Sequence, residues 1–352
     1  MEKADEKSKV GLYSSVVLLI ILIVVAGYSL HLIYEASDQM ASRYGSGISN
    51  NWADAMNWLK TTTPECTVVA SYWDPGYWIA ALSERKTVFD GGSQGAIKHT
   101  KLEDLNGLDC LADRGGYIKE EDGIEYCITS RIQDMSGILY TSDEIKAAKV
   151  LETYAGNCTE IYELAYNRLI GISQWWSYFS NWDPEKGKGT ANPYSVIRLQ
   201  DQKNLLFENG TTLIYGPFYL KIVFENGTQN IEPLLLQQGR YHKIGNLVLV
   251  QNNTPVKMNY PNATVPGTLW IEQGFQTAIY MPQELENSMF TRMFFYDGAG
   301  LEYFEPAYIN PEVKLFKFNI EKFRKDLKEG TLGVGDDSLN LTETVIPNGT
   351  VE

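Results

Sequence analysis

The stretch 71-SYWDPGYW-78 sets one carboxylate among two tryptophans and two tyrosines and then bends at Pro75-Gly76. Ionised Asp74 can only accept hydrogen bonds, the indoles of Trp73 and Trp78 can only donate, and the hydroxyls of Tyr72 and Tyr77 do both. A polar group among rings costs roughly 2–7 kcal/mol when unpaired, and a carboxylate more, so such a cluster calls for donors. It can hold a small group that both gives and takes a hydrogen bond, and a hydroxyl is that kind of group. The same residues also suit a plain strand end, "TVVASYW", closed by a turn, with the rings filling core. Residue types alone leave both readings open.

The elements that would position this stretch are legible around it. Ahead of it, 51-NWADAMNWLK-60 places Trp52, Ala55, Met56 and Leu59 at helical spacing, with Asn50 or Asn51 as the N-cap. The β-branched run "CTVVASYW" then predicts a buried strand. Residues 141–156, "TSDEIKAAKVLETYAG", predict a helix with a Thr141/Glu144 capping box and a stop at Gly156. A further helix is expected over about 159–176. From about residue 200 the texture changes to strand-length runs split by Gly and Asn-Gly: "TTLIYGPFYLKIVFENGT", "GNLVLVQNN", "TLWIEQGFQTAIYMP", "MFFYDGAG" and "EVKLFKFNI".

Near the start, residues 11–34 contain no Asp, Glu, Lys or Arg. That length suffices for a helix across a hydrocarbon layer about 30 Å thick. A cleavable signal peptide would have a shorter apolar core and a small-residue cleavage site. Lys3, Lys7 and Lys9 precede the run while only Arg43 follows closely, which places the N-terminus in the cytoplasm and the bulk outside. The expected class is α+β: a cytoplasmic tail (1–10), one transmembrane helix (11–34), a mixed α/β domain (35–200), a β-rich sandwich- or barrel-like domain (201–330) and a loose acidic tail (331–352).

The net charge of −14 argues against nucleic acid as a partner. Asn157, Asn209, Asn226, Asn252, Asn262, Asn340 and Asn348 each open an N-x-S/T triplet, the acceptor pattern for N-glycosylation, in keeping with an outside location. Cys66, Cys110, Cys127 and Cys158 allow three disulfide pairings there, or remain free thiols. His31, His99 and His242 are far apart and no C-x-x-C occurs, so a zinc site is not expected.

"YWDPG" resembles the W-W-D-Y-G signature of the oligosaccharyltransferase catalytic-subunit family, with Trp73, Asp74 and Gly76 matching and Tyr72 and Pro75 departing from it. The order of apolar span, "WADAMNWLK" and "VVASYWDPG" is similar to the end of the membrane part and the start of the extracytoplasmic part in that family. "SRIQDMSGILYTSDEIKAAKVLE", "RLIGISQWWSYFSNW" and "RMFFYDGAGLEYFEPAYINPEVKLFKF" look like archaeal members, so the resemblance covers about residues 11–320. A second family element, M-x-x-I-x-x-x-I/V/W, is met as Leu169, Ile172 and Trp176, with Leu in place of Met; that spacing also describes an ordinary core stripe. Asp143/Lys146/Val150, matching the element's other form D-x-x-K-x-x-x-M/I with Val in the last place, and Met135/Ile138 are rival matches.

The resemblance implies transfer of a lipid-linked oligosaccharide to Asn of N-x-S/T sequons. Tyr72, Trp73 and Asp74 would hold the Ser or Thr hydroxyl two residues after the acceptor Asn, with Ile172 against the Thr methyl. It also implies a divalent cation, Mg²⁺ or Mn²⁺, held by carboxylates of a multi-span membrane half. No carboxylate pair in 35–352 stands out for that role, so the expectation is a fragment or split subunit that binds acceptor and is inactive alone, with no catalytic or metal residues of its own. The competing reading is a membrane-anchored extracellular glycan- or protein-binding module; a structural envelope glycoprotein is a third.

Overall fold

The apolar run lies within one helix, α1 (Glu2–Tyr44), of the computed structural model, which describes residues 2–44, 48–155, 160–183, 186–205, 209–225, 228–333 and 350–351. Its segment Val16–Gln39 is long and apolar enough to cross a membrane, and none of it is buried. The helix outruns the predicted span at both ends because Glu, Lys and Ala continue it. The chain divides into two units, Met1–Ala53 and Asp54–Glu352.

Helix α2 (Asn50–Thr62) follows, and its cap is Ser49, whose Oγ accepts from Trp52 N at 3.3 Å, rather than Asn50 or Asn51. Ala55, Met56 and Leu59 are buried as their spacing requires. Strand β1 (Val68–Ala70) leads through the quoted stretch into the short α3 (Gly76–Trp78), and β2 (Lys86–Thr87) comes next. A three-stranded antiparallel sheet is built from β3 (Ile97–Lys101), β4 (Tyr117–Glu121) and β5 (Ile124–Ser130), in the order β3-β5-β4. The Cys110–Cys127 disulfide ties the loop before β4 to β5, and Cys66 is disulfide-bonded too, so free thiols are not found among the described residues. Cys158 lies outside them.

Helix α4 (Arg131–Tyr140) packs against β5, and α5 (Glu144–Glu152) packs on α4. The cap of α5 is Asp143, whose Oδ1 accepts from Lys146 N at 3.0 Å. The expected Thr141/Glu144 box does not form because both side chains are otherwise engaged. The Thr141 hydroxyl accepts from Asp143 N, and the Glu144 carboxylate accepts from Glu302 N and Tyr303 N, at 2.8 and 2.7 Å. Beneath α4, the wholly buried Arg114 and Asp134 pair at 2.5 Å, and Thr129 and Tyr154 complete the carboxylate's hydrogen bonds. A buried charge pair satisfied in this way is tolerable.

The helix expected over 159–176 is instead strand β6 (Ile161–Tyr166) followed by α6 (Arg168–Gly171) and α7 (Ser173–Ser180). All six residues of β6 are buried, so its apolar run carries no alternation by which strand and helix could be told apart.

The strand-rich part contains β7 (Ser195–Arg198), β8 (Asp201–Asn204), β9 (Gly210–Tyr215), β10 (Phe218–Glu225), β11 (Thr228–Gln237), β12 (Arg240–Gln251), β13 (Thr254–Asn259), β14 (Val265–Ile271) and β15 (Thr277–Met281). They form one ten-stranded sheet ordered β7-β15-β14-β12-β11-β10-β9-β8, with β13 and the pair Thr350–Val351 joined to its sides. Leu220, Ile244, Leu247, Leu269 and Ala278 are fully buried in its core. Asn252 and Asn253, both at positive φ, make the two-residue turn between β12 and β13.

"MFFYDGAG", read as a strand from sequence, lies in helix α8 (Met289–Phe295) and the turn after it; Ser288 caps the helix through Thr291 N. The chain then returns to the first layer. Strands β16 (Phe304–Ile309) and β17 (Val313–Phe318), followed by α9 (Ile320–Glu329), complete a five-stranded sheet ordered β16-β17-β6-β1-β2. In it β1 runs parallel to β2 and β6, while β17 runs antiparallel to β6.

Candidate functional site

Because β1 and β6 are parallel, with Val68 opposite Ile161 and Ala70 opposite Glu163, both end at the same edge of the sheet. That edge, beyond the carboxyl ends of parallel strands, is where open α/β sheets receive ligands. The chain leaves β1 through Ser71, Tyr72 and Trp73, and Gly76 N donates to Trp73 O at 3.1 Å to close a turn around Asp74-Pro75.

Asp74 sits at the mouth of this turn with its side chain only 10% exposed. Its Oδ1 accepts from the Tyr166 hydroxyl at the end of β6. Its Oδ2 lies 3.7 Å from Nε of Arg168, the first residue of α6, whose side chain is two-thirds exposed. Burial raises the Asp74 carboxyl above its ordinary value, and the Tyr166 hydrogen bond and the Arg168 charge pull it back. Burial and the Asp74 charge together hold the Tyr166 hydroxyl well above its own ordinary range, so it remains a donor.

Tyr72 is buried, edge-on to Phe89 with ring centroids 6.5 Å apart. Burial pushes its hydroxyl up, and a side-chain hydrogen bond from Trp73 opposes the shift. Of the three predicted contact residues, Trp73 and Asp74 are therefore the ones partly open to solvent, and Tyr72 backs them from the core. Gly76 is dictated by close approach. A Cβ there would meet Phe89 O at 2.5 Å and Asp90 Cβ at 2.6 Å. The segment pressed against it is stiffened by Asp90, whose Oδ1 accepts from Gly92 N, Ser93 N and Ser93 Oγ at 2.8–3.0 Å.

The second predicted element is divided by the break between α6 and α7 at Ile172, where φ is −109° and ψ is 14°. Leu169 and Trp176 are fully buried and joined, Trp176 Nε1 donating to Leu169 O at 2.8 Å. Ile172 is half-buried. The rival matches, Met135/Ile138 on α4 and Val150 on α5, are core residues. Tyr166 and Arg168 were not singled out from sequence. Tyr166 was hidden in a run that reads as core, and the one available signal was its place at a strand end beside "RLIG".

Among the described residues no group of three His, Cys, Asp or Glu gathers that could hold a metal ion. Three of the seven sequon asparagines, Asn209, Asn252 and Asn262, are described, and all three are exposed; Asn157, Asn226, Asn340 and Asn348 lie outside the described residues.

No family model matches the chain. It is 24% identical over 319 residues to the dolichyl-phosphooligosaccharide-protein glycotransferase of Methanococcus voltae, an alignment spanning 72% of this chain and 35% of that protein. It is 25% identical over 305 residues to the protein of the same name from Methanocaldococcus jannaschii, spanning 72% and 32% respectively. The chain thus resembles archaeal dolichyl-phosphooligosaccharide-protein glycotransferases. It spans about a third of the length of these two relatives. Among solved structures, the C-terminal domain of C. jejuni pglb overlays with a TM-score of 0.45 and 15% identity, covering 76% of this chain and 99% of that one. A score that low does not bear on function.

Proposed function

We propose that this chain is the acceptor-recognition part of an oligosaccharyltransferase, which transfers a lipid-linked oligosaccharide to Asn of N-x-S/T sequons. The observation that carries the reading is Asp74 itself. One oxygen is fixed by Tyr166, the other lies 3.7 Å from the exposed Arg168 cation, and the carboxylate also accepts from its own backbone N–H. A carboxylate so placed keeps lone pairs for one more donor, and the Ser or Thr hydroxyl at the +2 position supplies it. Trp73 forms the adjoining wall, Gly76 sets the turn, and Ile172 offers an apolar surface to the Thr methyl. Leu169 and Trp176 position Ile172 from beneath. When Ala replaces Ser or Thr, Asp74 is left without its incoming donor, and a site built to pair a hydroxyl can reject the analogue by roughly 10⁴-fold.

The names of the two relatives support this reading. Val16–Gln39 anchors the chain in the cell membrane with its N-terminus in the cytoplasm, following the Lys3, Lys7, Lys9 bias, and the body works outside. The chemistry of transfer belongs to a multi-span half that carries the carboxylates for Mg²⁺ or Mn²⁺. Among the described residues of this chain no His, Cys, Asp or Glu cluster could hold such an ion.

The test is transfer from a lipid-linked donor to labelled N-x-T and N-x-A peptides, in membranes carrying this chain with and without a multi-span half. The expected result is transfer only with both, to N-x-T and not N-x-A, and its loss with Asp74→Ala. Transfer that persists at near-normal rate with Asp74→Ala defeats the assignment.

A further inference from the structure

A cavity of about 680 Å³ opens beside α6, away from Asp74, between the two sheets. Ile170 of α6, Trp270 of β14, Ile279 of β15, Phe294 and Phe295 of α8, and Ile309 at the end of β16 give it an apolar lining. Its walls are fixed. Trp270 is gripped edge-on by Phe295 and Tyr296, with centroids 5.0 and 5.4 Å away, and Phe294 stacks on Phe290 at 5.5 Å. Ile309 is nonetheless 43% exposed, and Phe294 and Phe295 are only half-buried. Glu272 and the Asp297–Lys314 ion pair stand on the rim, leaving it one negative charge in excess.

We infer that this groove is a second subsite for the acceptor polypeptide, taking a large apolar side chain of the segment that flanks the sequon. The inference rests on the reading of Asp74 proposed above. Continuity carries it. Helix α6 bears both Arg168, which reaches Asp74, and Ile170, which lines the groove. The residue before α6, Asn167, donates its N–H to Glu312 O at 2.9 Å, so the turn between Ile309 of β16 and Lys314 of β17 is held at the start of the same short helix. An extended chain advances about 3.3 Å per residue. At that rise, positions three to six residues from the Thr sample separations of about 10–20 Å from its hydroxyl.

The lining also selects the occupant. Sugar rings bind proteins by stacking on open aromatic faces, but Trp270 is only 6% exposed and offers none. What remains open is aliphatic and edge-on aromatic surface, which suits Leu, Ile, Met or Phe. The surplus carboxylate on the rim favours Lys or Arg beside that residue over Asp or Glu.

Fluorescence anisotropy of labelled N-x-T peptides with the full chain in nanodiscs tests this. A single Leu or Phe is placed at each position three to six residues from the Thr on either side, with Ser at that position as reference and N-x-A peptides as controls. One placement is expected to tighten binding about tenfold or more. Ile309→Glu, and independently Ile309→Ser, should remove that gain while leaving the N-x-T to N-x-A ratio unchanged. If no placement improves binding while N-x-T still exceeds N-x-A, the groove is refuted and the Asp74 reading stands. A gain that survives both Ile309 variants also refutes the groove. Equal binding of N-x-T and N-x-A overturns the Asp74 reading and, with it, this inference.

Discussion

The Tyr166 hydroxyl donates to Asp74 Oδ1 across the ends of two parallel strands, although the residues are 92 positions apart. This bond lowers a carboxyl that burial raises. Tyr166→Phe therefore lifts the Asp74 carboxyl further, and acceptor binding, which needs the ionised form, is lost at a higher pH on acidification. A pH profile of N-x-T peptide binding should shift upward in the variant; identical profiles would show that the bond does not tune Asp74.

The same shift has a stability counterpart. A carboxyl raised in the folded state contributes stability that is fully present below its unfolded value, near 3.8, and is lost as pH rises through the folded value. At pH 7 the ionised Asp74 is thus a cost to the fold. Asp74→Asn is expected to melt higher at pH 7 while transfer falls about 100-fold or more, and paired melting and transfer measurements check both. A variant that melts lower would place Asp74 among structural carboxylates.

Glu163, in the middle of β6, is fully buried with neither carboxyl oxygen hydrogen-bonded, and burial alone pushes its carboxyl well above the usual range. Its stability contribution therefore falls as pH rises above about 4.5. Glu163→Met, similar in volume and free of the orphaned oxygens, should stabilise the protein at pH 7 by about 1–3 kcal/mol. Denaturant melts at pH 5 and pH 8 should show the larger gain at pH 8; a gain independent of pH would contradict a neutral buried carboxyl.

Gly76→Ala forces a Cβ to within 2.5 Å of backbone at Phe89. Since backbone cannot yield as a flexible side chain can, the expected loss is about 1–3 kcal/mol or more. Displacement of the 89–93 segment from Trp73 should accompany it. Thermal melts and Trp fluorescence read the two effects separately, and a melt within error of wild type would mean the turn relaxes freely.

The elements with a clean local signal were readable in advance. The apolar run became a helix able to span a membrane, and "TTLIYGPFYLKIVF" became the β9–β10 hairpin. The turn after Trp73 was legible too, since Pro75-Gly76 announces it and Gly76 N closes it on Trp73 O, whereas the expected role of Trp73 and Asp74 came from the resemblance and not from residue types. What stayed hidden depends on distant segments. Glu144 has the spacing of a capping residue, yet it serves backbone N–H groups 158 and 159 residues away. The interior of β6 carries no alternation because it is buried on both faces, so neither the strand nor the Tyr166 at its end declared itself. Ile172 and Trp176 have the spacing of one helix face, but a helix break lies between Leu169 and Trp176, and only the indole bond to Leu169 rejoins them.

Strand β6 carries Tyr166 and lies between β1, which precedes it by some ninety residues, and β17, which follows it by about one hundred and fifty. During synthesis the anchor and β1 emerge first, yet the edge that presents Asp74 has no finished neighbour on its far side until Phe318 has left the ribosome. Such long-range pairing is slow to form. The nascent chain thus completes the sheet around that edge only once β17 has been made, so the edge that carries Asp74 matures late in its biogenesis.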